Sequence, residues 1–459
     1  MSDPDVPDPL ALTDYAHGAA VELTDAQRWP GMTSTQRRVL EEVLTHPGAP
    51  RWRHRAGHRL DAVAVARARE PLSTAGWLTD HLAVARRLPA YRSYPNLVEL
   101  NDFPLISRAD LRGDIAAFVP LDADLSRMVT GSSSGTTGAA LMIPDDIEDV
   151  ARTFWLLVAL LASRGVDWSP DPDRLALALL VWQRQAFSYA SLIPGFGDAA
   201  MARLNLDPRD WDPDARDAYL RRWDPQVLSG SPSSLAALLE RPAAADLHPL
   251  AVVSGAQHLA AGLRAALRDR FGVPVLDIYG LHETRPIAVS PDGGPFRLLP
   301  TRIHVEVVDR HGAPVPPGER GELVVTSGCN PLLPLVRYRT GDYGRLVDLG
   351  DGLAIADLEG REDIVFTAAD GSAVPCVDLT QQLQDAGALG WVVEQSGDEV
   401  RTTVCGGDPA DIAARLRLIF GATVPVNTVG TLAELGEGKP RRYRITESYN
   451  SVNRRSRSS

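Results

Sequence analysis

The sequence predicts an α/β protein: a large N-terminal domain of helix-covered, mostly parallel sheets with a small β subdomain, followed by a small, mobile C-terminal α+β domain. Three observations carry this. From Val129 to about Val289 short apolar runs alternate with amphipathic helical stretches, the signature of a parallel sheet covered by helices. Around residues 296–360 the pattern shifts to short alternating strands separated by Gly and Pro turns, which suits an antiparallel sheet. The 459 residues exceed one small core and suggest two or three domains.

The elements follow in order. Residues 1–100 are rich in Ala, Arg and Leu at helical spacing, as in "RRVLEEVLTH" and "WLTDHLAVARRL", and read as the helical opening segment of the large domain. Within residues 101–360, "RLALALLVW", "PQVLSGS", "LAVVSGA" and "VPVLDIYG" read as strands, with "PSSLAALLER" and "GLRAALRDRFG" as intervening helices. The β subdomain begins at about 296 with "RIHVEVVD", "GERGELVVTS" and "YGRLVDLGDGLAIA". After "LEGREDIVF" the period changes again, so residues 361–446 read as the C-terminal domain, with Arg361 to Asp363 as its junction. The tail 447–459 is polar and basic and reads as disordered.

Composition narrows the function. Apolar content of 44% with 23% charge is ordinary for a globular chain, while a net charge of −12 argues against nucleic acid and anionic membranes as partners. A small molecule is the expected partner. The apolar runs "FWLLVALLA" and "LALALLVW" are too short for the roughly 20 residues that span a bilayer, and read as a buried helix and a buried strand. The acidic opening "MSDPDVPDPL" lacks the basic-then-apolar order of a signal peptide. Cys329, Cys376 and Cys405 are widely separated with no CxxC pair, which points to a reducing cytoplasm and no zinc site.

Thr130 to Leu141, "TGSSSGTTGAAL", holds three Ser, three Thr and three Gly in twelve residues. Glycines let backbone N–H groups approach an anion and hydroxyls add donors without bulk, so the segment reads as a polyphosphate loop or as a flexible linker. A Walker-type loop is excluded. That motif needs Gly-Lys followed by Ser or Thr, but the single lysine, Lys439, precedes Pro440.

"SSSGTTG", "YGLHE", "YRTGD", "GRED" and "GKPRR" occur in the order and approximate spacing of the adenylate-forming enzymes, which include acyl- and aryl-CoA ligases and stand-alone adenylation domains. "FPLISRADLR" and "PQVLSGSPSSL" are similar to the phenylacetate-CoA ligase branch, and the resemblance covers about residues 80–446. It implies an ATP-dependent, AMP-forming ligase that converts a carboxylic acid, aromatic or otherwise small and flat, into an acyl-adenylate. The acyl group then passes to CoA or to the phosphopantetheine arm of an acyl carrier protein. Some relatives activate nitrite and diazotise an aryl amine. A reading of another class is a nucleotide-binding protein on a degenerate ligase fold.

By the resemblance, Ser132, Ser133, Ser134, Gly135, Thr136, Thr137 and Gly138 hold the β- and γ-phosphates of ATP. Tyr279 stacks on adenine beside Gly280, and Glu283 ligates Mg²⁺. Asp342 meets the ribose hydroxyls, or is part of a plain turn at "TGD". Arg361 contacts ribose and phosphate, and Asp363 is the hinge. His282 stands where the family has Thr or Ser and would donate to phosphate or substrate oxyanion. The acid pocket draws on Phe187 and Tyr189, which equally suit a core, and on Gly255, Ala256 and Leu281. Ala139 and Gln257 depart from the Lys and Glu that relatives often carry there. ATP and Mg²⁺ are the expected cofactors, and the expected assembly is a monomer or a homodimer.

The charge composition singles out one further residue. Of 47 Lys plus Arg, 46 are Arg, and the lone lysine lies in "GEGKPRRYR". A compact ammonium serves where a planar guanidinium cannot fit. By the resemblance Lys439, on a loop flanked by Gly436 and Gly438, bridges carboxylate and α-phosphate during adenylation.

Overall fold

The computed structural model describes residues 23–133, 141–183, 186–209, 211–360, 364–436 and 442–446. Thirteen strands among them form one sheet. From one edge the order is Trp52–Arg53, Tyr189–Leu192, Ala200–Asn205, Leu177–Val181, Val227–Gly230, Ala251–Gly255, Val275–Leu281, Arg285–Ser290, Phe296–Leu298, Leu353–Gly360, Leu335–Asp348, Gly321–Ser327 and Ile303–Val308. The strands from Ala200–Asn205 to Val275–Leu281 run parallel, as the strand-helix alternation predicts. From Arg285 onward neighbours are antiparallel, yet they continue the same sheet through Phe296–Leu298 instead of standing apart from it.

Two-sided burial explains why the parallel strands read as near-continuous apolar runs. Successive side chains of a strand face opposite sides. Ala178 and Leu180 enter a core beneath the helices Ser34–Thr45, Pro213–Trp223, Pro232–Leu239 and Ala261–Phe271, whereas Leu177 enters a second core beneath the helix Ile147–Ala162. The antiparallel part keeps its own core of Ile287, Val305, Leu323, Val325 and Ile355.

The run "FWLLVALLA" is helical as expected, but Phe154 to Val158 and Leu160 are only partly buried. The reason is that Phe154, Leu156, Leu157 and Leu160 border a cavity instead of packed core. "LALALLVW" holds the strand Leu177–Val181, and both apolar and buried character agree.

The C-terminal residues build a four-stranded sheet, ordered Val426–Val429, Glu399–Gly406, Ala388–Ser396, Tyr443–Thr446, with helices Cys376–Asp385 and Pro409–Phe420 against it. Leu379, Leu383, Trp391, Ile412, Leu416 and Phe420 share its core. It meets the large sheet through Glu359, which accepts from Arg442 and from Thr380. The helix Ala261–Phe271 also touches it, where a Cβ at Gly262 would fall 2.9 Å from Leu389 Cδ2. The tail 447–459 lies outside the described residues.

Candidate active site

The site forms where the sheet changes from parallel to antiparallel. Strand Val275–Leu281 is the last parallel strand, and Leu281 pairs with Arg285 across a three-residue turn made by His282, Glu283 and Thr284. Arg285 takes a left-handed φ of 71° to re-enter the sheet, as three-residue hairpin loops commonly require. Gly280 faces the returning strand so closely that a Cβ would lie 2.6 Å from the Arg285 carbonyl oxygen. Open α/β folds bind ligands outside the carboxyl ends of their parallel strands, where this turn lies.

Strand Leu335–Asp348 delivers two side chains to this turn. The Tyr279 hydroxyl donates to Asp342 Oδ2 at 2.9 Å, and its ring stands edge-on to Phe296 at 6.3 Å. Burial raises the Tyr279 pKa well above its ordinary value and Asp342 adds to the rise, so the phenol stays protonated. Asp342 is held in its turn by its own N–H, which donates to Thr340 Oγ1 at 3.0 Å. One strand turn upstream, the Tyr338 hydroxyl donates to Glu283 Oε1 at 3.3 Å.

Glu283 is buried and its main partner is Arg108, 2.6 Å from Oε1. Arg108 opens a short helix, Arg108–Gly113, whose preceding Ser107 donates from its N–H and its hydroxyl to Asp110 Oδ2 at 2.7 Å each. The stretch "ISRADLR" thus places a cation on Glu283.

His282 points to the hairpin formed by Met128–Ser133 and Leu141–Asp146. Its Nε2 lies 2.8 Å from Asp145 Oδ2, and Arg285 bridges Asp145 at 2.8 Å and Asp149 at 2.6 Å. Burial raises the Asp149 pKa despite Arg285. For Arg285 burial works the other way, but the two carboxylates outweigh it and hold the guanidinium charged. Gly131 is required at this junction, because a Cβ there would sit 2.3 Å from His282 Cε1 and 2.7 Å from Asp145 Oδ2.

Beside the turn lies a cavity of about 660 Å³. Tyr189, Gly255, Ala256, Gly280, Leu281 and His282 all line it, which brings the residues expected for the pocket together with two of the "YGLHE" motif's other residues, Gly280 and His282. Its wall is otherwise mainly aliphatic and aromatic, from Phe154 and Leu157 through Met201 to Ile278. Ala256 adopts a left-handed φ of 66° at the end of its strand. Phe187 is not among the described lining residues. It stacks on Trp52 at 5.1 Å and tilts against Tyr189 at 5.5 Å, which is the packing role the sequence left open.

Ser134, Gly135, Thr136, Thr137, Gly138, Arg361, Asp363 and Lys439 lie outside the described residues, as do the side chains of Ser132 and Ser133, whose backbones end the strand Met128–Ser133. Sequence reasoning passed over Gly131, Asp145, Asp149, Arg108, Tyr338 and Arg285. The acidic run "PDDIED" was a usable signal: four carboxylates at the start of an apolar helix need partners if they are buried. Arg127 and Arg67 meet Glu148, Arg127 also meets Asp146, and Arg285 takes the other two.

The sequence pattern of the AMP-binding enzyme family matches residues 133–330. The chain is 28% identical over 271 residues to a phenylacetate-coenzyme A ligase of Escherichia coli (strain K12), spanning 55% of this chain and 59% of that one. It is 26% identical over 287 residues to the phenylacetate-coenzyme A ligase of Aromatoleum evansii, spanning 58% and 62%. The matches therefore cover about three-fifths of the length of these relatives. Among solved structures, a 2-hydroxyisobutyryl-CoA ligase in the postadenylation state superposes with a TM-score of 0.60 at 17% identity, over 86% of this chain and 94% of the other. An open conformation of that ligase, in complex with 2-HIB-AMP and CoA, gives 0.52 at 18% identity over 82% and 93%. These two likenesses are ones of fold.

Proposed function

We propose that this chain, which belongs to the adenylate-forming superfamily on its phenylacetate-CoA ligase-like branch, is an ATP-dependent, AMP-forming ligase for a small organic acid. The observation that carries the reading is that one strand end holds the Tyr279–Asp342 pair and, through the adjacent Ile278, Gly280 and Leu281, part of the wall of a mainly apolar cavity of about 660 Å³. Tyr279 and Asp342 supply a ring face and a carboxylate for adenine and ribose, and the cavity next to Leu281 and His282 takes the acid. Its apolar wall accommodates the hydrocarbon part of an organic acid.

Adenylation joins a carboxylate oxygen to the α-phosphorus and releases pyrophosphate. Two anions must approach, so positive charge and hydrogen-bond donors at their meeting point lower the barrier. His282, whose Nε2–H is directed to Asp145, stands at the cavity side of that meeting point. Lys439 is the donor there, on the resemblance of its loop. Among the described residues no three His, Cys, Asp or Glu side chains cluster to hold a metal by themselves. Glu283 would meet Mg²⁺ as a single carboxylate, with the remaining ligands drawn from the phosphates, and the ion would neutralise phosphate charge. The adenylate is then passed to a thiol, CoA or a carrier-protein phosphopantetheine.

The test is acid-dependent exchange of labelled pyrophosphate into ATP over a panel of acids that includes nitrite. Exchange with an organic acid is the expected result, and nucleotide binding without exchange for any member would overturn it. Lys439→Arg separates the half-reactions: adenylation should fall by a factor on the order of 10², because a guanidinium cannot replace a point ammonium. A purified acyl-adenylate should still be converted to thioester at near the parent rate, and equal loss in both steps would refute the assignment.

A further inference from the structure

Two histidines of the opening segment, His54 and His58, also line the cavity. The edge strand Trp52–Arg53 brings them there by pairing in parallel with Tyr189–Leu192. The His54 N–H donates to the Ala190 carbonyl at 2.8 Å, which places its ring 4.6 Å from that of Tyr189. Burial keeps both imidazoles neutral at physiological pH, holding each pKa down at about 4.

A neutral imidazole has one N–H, and its position is readable for His58. Its Nδ1 accepts the Leu60 backbone N–H at 3.1 Å, so the ring proton sits on Nε2. No described residue accepts that proton, and the nitrogen is not sealed away from solvent. The cavity therefore has an uncharged donor on a mainly apolar wall. The described lining carries no Asp, Glu or Lys, and its one guanidinium, Arg285, is committed to Asp145 and Asp149.

We infer that His58 is a specificity-determining residue of this site: its Nε2–H selects an acid that carries an uncharged hydrogen-bond acceptor, such as a ring hydroxyl, ether or carbonyl oxygen, away from the carboxylate. The inference rests on the ligase reading for the identity of the ligand as an acid. An ammonium substituent finds no carboxylate in the described wall, and a second carboxylate finds no available cation there. A size-matched acid without the acceptor leaves the donor unpaired, which such sites penalise more strongly than a missing methylene.

The experiment uses the full chain and measures binding by calorimetry alongside pyrophosphate exchange. The probes are phenylacetate and the 2-, 3- and 4-hydroxy, methoxy and methyl phenylacetates, the methyl compounds serving as size-matched controls. The best acceptor-bearing isomer should bind about tenfold or more tightly than its methyl counterpart. His58→Leu should bring that ratio to about one, and His58→Gln, which keeps an N–H donor, should restore part of it. Equal affinities in the parent, an unchanged ratio in His58→Leu, or no binding by any acid would overturn the inference. Preferential binding without exchange would overturn the ligase activity and leave His58 in its role, whereas exchange without preference would do the reverse. Should His58→Leu fail to fold, the parent ratio and His58→Gln still decide the matter.

Discussion

Asp342 occupies a position that a turn alone would not explain. A plain turn needs only its backbone bond to Thr340, but here a buried tyrosine also spends its hydroxyl on the carboxylate. Asp342→Ala is expected to raise the KM for ATP by about one to two orders of magnitude, as hydrogen bonds to a charged group are worth roughly 1.5–3 kcal/mol. The KM for the acid should hardly move, and exchange kinetics at varied ATP check both. Gly131 is a second such position, invisible as a contact because it has no side chain. Gly131→Ala forces a methyl into the space of His282 and Asp145. It should cost about 1–3 kcal/mol by overpacking, read as a lower melting temperature, together with lost adenylation as His282 is displaced.

At the scale of elements, the paired strands Met128–Ser133 and Leu141–Asp146 and the helix Ile147–Ala162 are joined by one residue. Asp146 caps the helix by accepting from the N–H groups of Glu148 at 2.8 Å and Asp149 at 3.2 Å, and it also pairs with Arg127 at 3.0 Å. Asp146→Ala should lose about 1–2 kcal/mol by the missing cap, while Asp146→Asn retains most of it. Chemical denaturation of the two variants distinguishes cap from charge. The helix itself was legible in the sequence from its long apolar run. Its partial exposure was not, because periodicity records which face is apolar and says nothing of whether that face meets packed core or a cavity.

For the whole molecule, the sheet's buried charges set the response to pH. Asp277, in the strand that leads to the site, is raised to about 6 mainly by burial, against the opposing pull of Arg264. A carboxyl raised in the folded state binds more protons than its unfolded counterpart between the two pKa values. Stability is therefore fully present below about pH 4 and lost as pH rises through about 6, by roughly 2–3 kcal/mol for a shift of this size. Asp277→Asn should remove this slope, and denaturation midpoints at pH 4 and 7 in parent and variant measure it. Glu148 opposes it. Burial alone would raise Glu148, but Arg67 together with Arg127 and Arg152 leaves it lowered, so its contribution is present above the ordinary glutamate range and lost as pH falls.

The sequence by itself determined the α/β class, the order of parallel and antiparallel segments and the residues of the "YGLHE" and "YRTGD" motifs, because these are properties of local period and of short runs. Through the resemblance of their segments it also grouped Phe187, Tyr189, Gly255, Ala256 and Leu281 as an expected pocket, and all of these but Phe187 line one cavity. Only the tertiary structure decided which side chains meet. Tyr279 and Asp342 are 63 residues apart, Arg108 and Glu283 are 175 apart, and His282 and Asp145 are 137 apart. His54 and His58 reach the cavity through a two-residue edge strand too short to leave a periodic trace. Such pairs arise from strand order and the hairpin at the switch point, and a one-dimensional pattern carries no record of which distant strands become neighbours.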